Sequence, residues 1–146
     1  MKDRLQIDIG VGDVVDEYEM GLNLLKYKDE PLLGDREMTL FAYPPEFIFS
    51  EKLQAIVELK ILNSRMKDYF DCVSLIQEDV LNPETLKDAI NRTFEKRSTE
   101  VGLLEDFSED LEPLRASFKR KVSTSPETIK IAIETINDYL KTIGLS

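Results

Sequence analysis

From Pro45 to the C-terminus the apolar residues recur at helical spacing, and this periodicity is the strongest constraint on the fold. Phe49, Leu53, Ile56 and Val57 make an i, i+4, i+7, i+8 stripe behind Pro45, a residue favoured in a first turn. A second helix is predicted from about Met66 to Gln77. A third opens at Asn82-Pro83-Glu84 and carries Leu86, Ala89, Ile90 and Phe94. A fourth is expected from Glu112 or Pro113 to Val122, striped by Leu114 and Phe118. A fifth is expected from Ser125-Pro126-Glu127, striped by Ile129, Ala132, Ile133, Ile136, Leu140 and Ile143, with Gly144 as its stop.

Ahead of the helices the period changes. Leu5, Ile7 and Ile9 alternate with Gln6, Asp8 and Gly10, which predicts a short strand with one buried face. Met38 to Tyr43 reads as a second extended segment, ended by Pro44-Pro45, and the stretch from Val11 to Glu37 reads as a long loop. The expectation is an α+β fold, with a small and incomplete sheet of about two strands followed by a bundle of about five helices. Residues 1–44 form the sheet portion and residues 45–146 the bundle. A lone strand pair is marginal, and an unfinished edge invites pairing with a second copy, so a homodimer through Leu5–Gly10 is expected.

The chain has no histidine and one cysteine, Cys72. That excludes Ser-His-Asp and Cys-His nucleophilic sites, His-ligated metals, an internal disulfide and a Cys-rich zinc cluster. A single thiol, no long apolar run and no signal-peptide core predict a cytoplasmic protein without a membrane segment. The net charge of −10 argues against general nucleic-acid binding.

Few polar residues stand out. Asp8 interrupts a strand whose type it disfavours, and a carboxylate fixed there suits a hard cation such as Mg²⁺ as well as it suits solvent. Lys67, Asp68 and Asp71 fall in one arc of the second helix, opposite Tyr69, Phe70, Val73 and Ile76. A Lys67–Asp71 i, i+4 pair has the weaker orientation, and a lysine near a helix start opposes the dipole. A phosphate or carboxylate partner explains Lys67 better. Lys52 lies at the edge of its helix's apolar stripe, where it either snorkels or aims at the site of Lys67. Arg115, Lys119, Arg120 and Lys121 follow the acidic run Glu105, Asp106, Glu109, Asp110 and Glu112, and read as complementary surface charge rather than as an RNA patch. Cys72 reads as a small core residue.

Several segments in order resemble a known family. They are Ile7 to Asp13, Tyr43-Pro44-Pro45-Glu46, Glu51 to Ile56, Ser64 to Asp71, Ala89 to Phe94, and Arg97-Ser98-Thr99. The set is similar to the AbiEii/AbiGii-type nucleotidyltransferase toxins of type IV toxin–antitoxin systems, and covers roughly residues 5–99 and, more loosely, the C-terminal helices. The resemblance implies a nucleotidyltransferase core followed by helices. It implies transfer of a nucleotidyl group from Mg-NTP to an acceptor, tRNA for some relatives. It also implies roles for single residues: Asp8 as a metal carboxylate, Lys67 and Asp68 as catalytic residues, Lys52 and Arg65 as cations for the nucleotide. An antitoxin protein is the implied partner.

The sequence departs from the family pattern in one respect. No Gly-Ser turn followed by Asp-x-Asp occurs, and Asp8 lies only seven residues from the start. The expectation is therefore an N-terminally truncated homologue, inactive alone and holding neither Mg²⁺ nor NTP tightly. The alternative is a non-catalytic interaction module, an antitoxin-binding or oligomerising helical bundle.

Overall fold

The structure is a computed structural model. It describes residues 18–22, 26–27, 30–31, 38–60, 66–119 and 128–145, with side chains over 42–60, 66–113 and 128–145. The strand expected at Leu5–Gly10, its dimer edge, Asp8 and Arg65 all lie outside the described residues.

The described part is built on five helices: α1 (Pro45–Leu59), α2 (Met66–Gln77), α3 (Pro83–Arg97), α4 (Ser108–Lys119) and α5 (Ile129–Thr142). Local chemistry sets their ends. Pro45 opens α1, and the Pro44 carbonyl accepts from the N–H groups of Phe47 and Ile48, both at 3.1 Å. Asn82 caps α3 by accepting from the N–H groups of Glu84 and Thr85, both at 3.1 Å. Its end turns through Ser98 at φ 53°, where the Thr99 N–H reaches the Phe94 carbonyl at 3.0 Å. Helix α5 starts on the Thr128 hydroxyl, which accepts from the Ile131 N–H at 3.2 Å, and stops at Gly144, φ 77°.

Helix α4 begins earlier than the sequence suggests. Pro113 reads as a helix opener but is the sixth residue of α4. The Asp106 carboxylate supplies the start instead, accepting from the Ser108 N–H at 3.0 Å. Leu111, fully buried, anchors that first turn in the core.

The expected α+β fold is corrected: the fold is helical. Side chains of the main core come from all five helices and from the connecting residues Leu81 and Leu104. Helix α1 packs against α2 and α3, and α2 against α4 and α5. The backbone pairing that is described forms two separate two-stranded ribbons rather than a sheet layer. Strand β1 (Tyr18–Leu22) pairs antiparallel with β4 (Met38–Ala42), and β2 (Lys26–Tyr27) with β3 (Glu30–Pro31). Met38–Ala42 thus pairs with residues from inside the expected long loop. The physical reason is economy of burial. Helices α1, α2, α3 and α5 present complementary apolar stripes that close on one another, so among the described residues the core is helical.

Candidate functional site

The polar centre of the molecule lies where α1 crosses α2. Lys52 leaves α1 beside its apolar stripe, with its side chain 18% exposed. Its ammonium group meets Oδ2 of Asp71 at 2.6 Å and Oδ1 of Asp68 at 3.4 Å, both on α2. Lys67, 70% exposed and one helical turn before Asp71, also reaches Asp71 Oδ2, at 2.7 Å. Two lysines from two helices therefore converge on one carboxylate oxygen.

Asp68 departs from the sequence expectation of a shared polar arc. It is 1% exposed, enclosed between α1 and α2, while Lys67 faces solvent. A wheel projection gives the angle of Asp68 but not the neighbour that covers it. That neighbour is α1, packed directly on α2. Burying a carboxylate is costly unless it is paired, and Lys52 supplies a counter-charge.

Ionisation follows this geometry. Burial pulls the Lys52 ammonium down, but the hydrogen bonds and charges of Asp71 and Asp68 outweigh it, so its pKa rises above the ordinary lysine value. Burial pushes the Asp71 carboxyl up, and Lys52 and Lys67 together hold it below the ordinary range. Behind them Tyr69 is pushed up to about 12, first by burial and then by the charge of Asp68. The Cys72 thiol, wholly buried, is also pushed up and stays protonated.

Lys52 also lines an open groove of about 510 Å³ along α1, shared with Tyr43, Glu51, Gln54, Glu58 and Arg97 among others. That volume is within the range of ligand clefts. Across it Arg97 of α3 pairs with Glu51 at 3.2 Å, and Gln54 donates to the Thr99 hydroxyl at 2.9 Å and to Glu58 at 2.7 Å. Beneath, the hydroxyls of Ser50 and Thr93 share a buried hydrogen bond of 3.0 Å. Segments about 45 residues apart, each singled out in the sequence, thus meet face to face. A family model for the nucleotidyl transferase AbiEii toxin, type IV TA system, matches residues 1–141.

The chain belongs to the AbiEii family. Neither curated proteins nor solved structures give a match. Of the site residues expected in this AbiEii chain, the structure brings together Lys52, Lys67 and Asp68. Asp8 and Arg65 lie outside the described residues. Asp71, the hub of the cluster, was legible as the i, i+4 partner of Lys67 and as the end of a family segment but not as a site residue, and neither Tyr43 nor Arg97 was singled out for the site.

A divalent cation does not fit the described residues. Lysine ammonium groups already engage Asp68 and Asp71, and among the described residues no three acidic or cysteine side chains gather to hold a metal. No described helix is long and apolar enough to cross a membrane.

Proposed function

We propose that this AbiEii-family chain is a nucleotidyltransferase-type toxin polypeptide in which Lys52 and Lys67 receive the triphosphate of an NTP. The observation that supports the reading most is the convergence of both lysines on Asp71 beside the groove. Phosphate oxygens seek ammonium donors, and an ammonium offers three, so each lysine keeps donors beyond its carboxylate contacts. Lys67 faces solvent and can turn to an incoming anion, while Lys52 stays anchored between α1 and α2. Asp68 holds Lys52 from the buried side. Residues 45–146 act as one unit that presents this cluster.

Family kinship supports an antitoxin protein as the regulator, and tRNA, the acceptor of some relatives, is the acceptor to test. The sequence contains no Gly-Ser turn with Asp-x-Asp. On this reading the chain by itself binds NTP weakly and does not transfer a nucleotide. A second reading, a non-catalytic antitoxin-binding module, draws support from charge balance: Lys52 and Lys67 are matched by Asp68 and Asp71, leaving the cluster neutral.

The test is incubation of the purified chain with tRNA, Mg²⁺ and each of the four NTPs labelled at the α-phosphate. No label on tRNA is the expected result. Label that appears with the wild-type chain and disappears with Lys52→Ala would overturn the inactive reading and place the chain among complete transferases.

A further inference from the structure

We propose that Asp71 is a positioning residue: its carboxylate holds the ammonium groups of Lys52 and Lys67 side by side so that both meet the same polyphosphate. This rests on the reading that the two lysines receive phosphate. Oδ2 of Asp71 takes Lys52 at 2.6 Å and Lys67 at 2.7 Å, so two like charges from different helices share a single acceptor. Without the carboxylate they repel, and Asp68 still holds Lys52 while Lys67 loses this anchor. Free lysine side chains also carry large rotamer entropy, which a ligand must otherwise remove on binding. Asp71 removes part of it beforehand, more for Lys52, 18% exposed, than for Lys67, 70% exposed.

The two ammoniums are held unequally. Lys52 has a second carboxylate, Asp68 Oδ1, at 3.4 Å, and lies mostly out of solvent. Lys67 has Asp71 at 2.7 Å and projects into water. A polyphosphate arriving from solvent meets Lys67 first and Lys52 second, with Asp71 fixing the spacing between them. The donors not spent on Asp71 are the ones offered to phosphate.

Positioning and plain electrostatics predict opposite signs. Asp71→Asn deletes a negative charge beside an anion site. Electrostatics alone then predicts tighter binding, whereas positioning predicts weaker binding. The probe is inorganic tripolyphosphate without metal, titrated into the full chain. The readout is the NMR shift of the side-chain ε-methylene groups of Lys52 and Lys67.

In the wild type both signals are expected to move along one binding curve. In Asp71→Asn the affinity is expected to fall about tenfold, the scale of losing a charged hydrogen-bond partner, and the two signals to separate. Asp71→Glu, which keeps the charge, is expected to restore most of the affinity. If Asp71→Asn does not fold, Asp71→Ser makes the same comparison. Equal or tighter binding in either neutral variant, with both signals still moving together, overturns the role of Asp71 and leaves the phosphate reading standing. A wild-type chain whose Lys52 and Lys67 signals ignore tripolyphosphate overturns the phosphate reading itself, and the role of Asp71 with it.

Discussion

Replacing Lys52 with methionine separates a structural charge from a surface one. The substitution keeps the length of the side chain and deletes the ammonium. Asp68, 1% exposed, then loses its counter-charge on α1, and Asp71 keeps only Lys67. Removing one partner of a fully buried pair costs about 3–5 kcal/mol. Lys52 is 18% exposed and Asp71 27%, so solvent screens part of this, and about 2–3 kcal/mol is the expected loss. Lys67→Met is the control. It breaks a pair of similar length, but from a lysine 70% exposed, and the expected cost is about 0.5 kcal/mol or less. Urea unfolding at neutral pH reads both. In a thermal melt the Lys52 variant should lose about 4–12 °C and the Lys67 variant less than about 2 °C. Equal losses in the two variants would refute the reasoning, because they would mean that the burial of Asp68 carries no electrostatic cost.

Further outcomes follow from other contacts. Asn137 on α5 holds the segment before α4 with paired hydrogen bonds, accepting from the Leu104 N–H at 2.8 Å and donating to its carbonyl at 2.9 Å. Asn137→Ala should cost about 1–3 kcal/mol in urea unfolding and speed amide exchange at Leu104, and unchanged exchange there would contradict the role. Asn82→Ala removes the α3 cap and should cost about 1 kcal/mol, whereas Asn82→Asp should cost little. Stability should also depend on pH on both sides of neutrality. The lowered Asp71 contributes stability above the ordinary carboxylate pKa of 3.8, lost as pH falls through its folded value. Lys52, raised above its ordinary 10.5, and Tyr69, raised to about 12, contribute stability below their ordinary values, lost as pH rises through the folded ones. Asp71→Asn should flatten the acid limb and weaken the alkaline one, and an unchanged acid limb would contradict the assignment.

The helices were legible wherever a cap residue and an apolar stripe agreed, as at Asn82-Pro83 with Leu86, Ile90 and Phe94. Pro113 misled because the residue that anchors the first part of α4, the fully buried Leu111, lies ahead of it, and the helix runs through the proline at the loss of one i−4 hydrogen bond. The sheet misled for a different reason. Extended character at Met38–Tyr43 was legible, but it does not name a partner: the described pairing of Met38–Ala42 is a two-stranded ribbon with Tyr18–Leu22, inside the stretch read as a loop. In the site, Lys67 was legible as a cation without a good local reason, and Lys52 as one that either snorkels or aims at the same place. Their meeting point was not, since it depends on how α1 lies on α2, and that crossing is fixed by packing of Leu53, Ile56, Tyr69 and Val73 rather than by any motif. Asp68 looked exposed for the same reason.

The central claim is that Lys52 and Lys67 form the phosphate-receiving cluster of a nucleotidyltransferase-type chain. Its most direct test is calorimetric titration of the four NTPs into the wild-type chain and into the Lys52→Ala/Lys67→Ala double variant, with folding of both checked by circular dichroism. The account predicts weak binding to the wild type, and a loss of about tenfold or more in the double variant. Equal affinity in the two would contradict it.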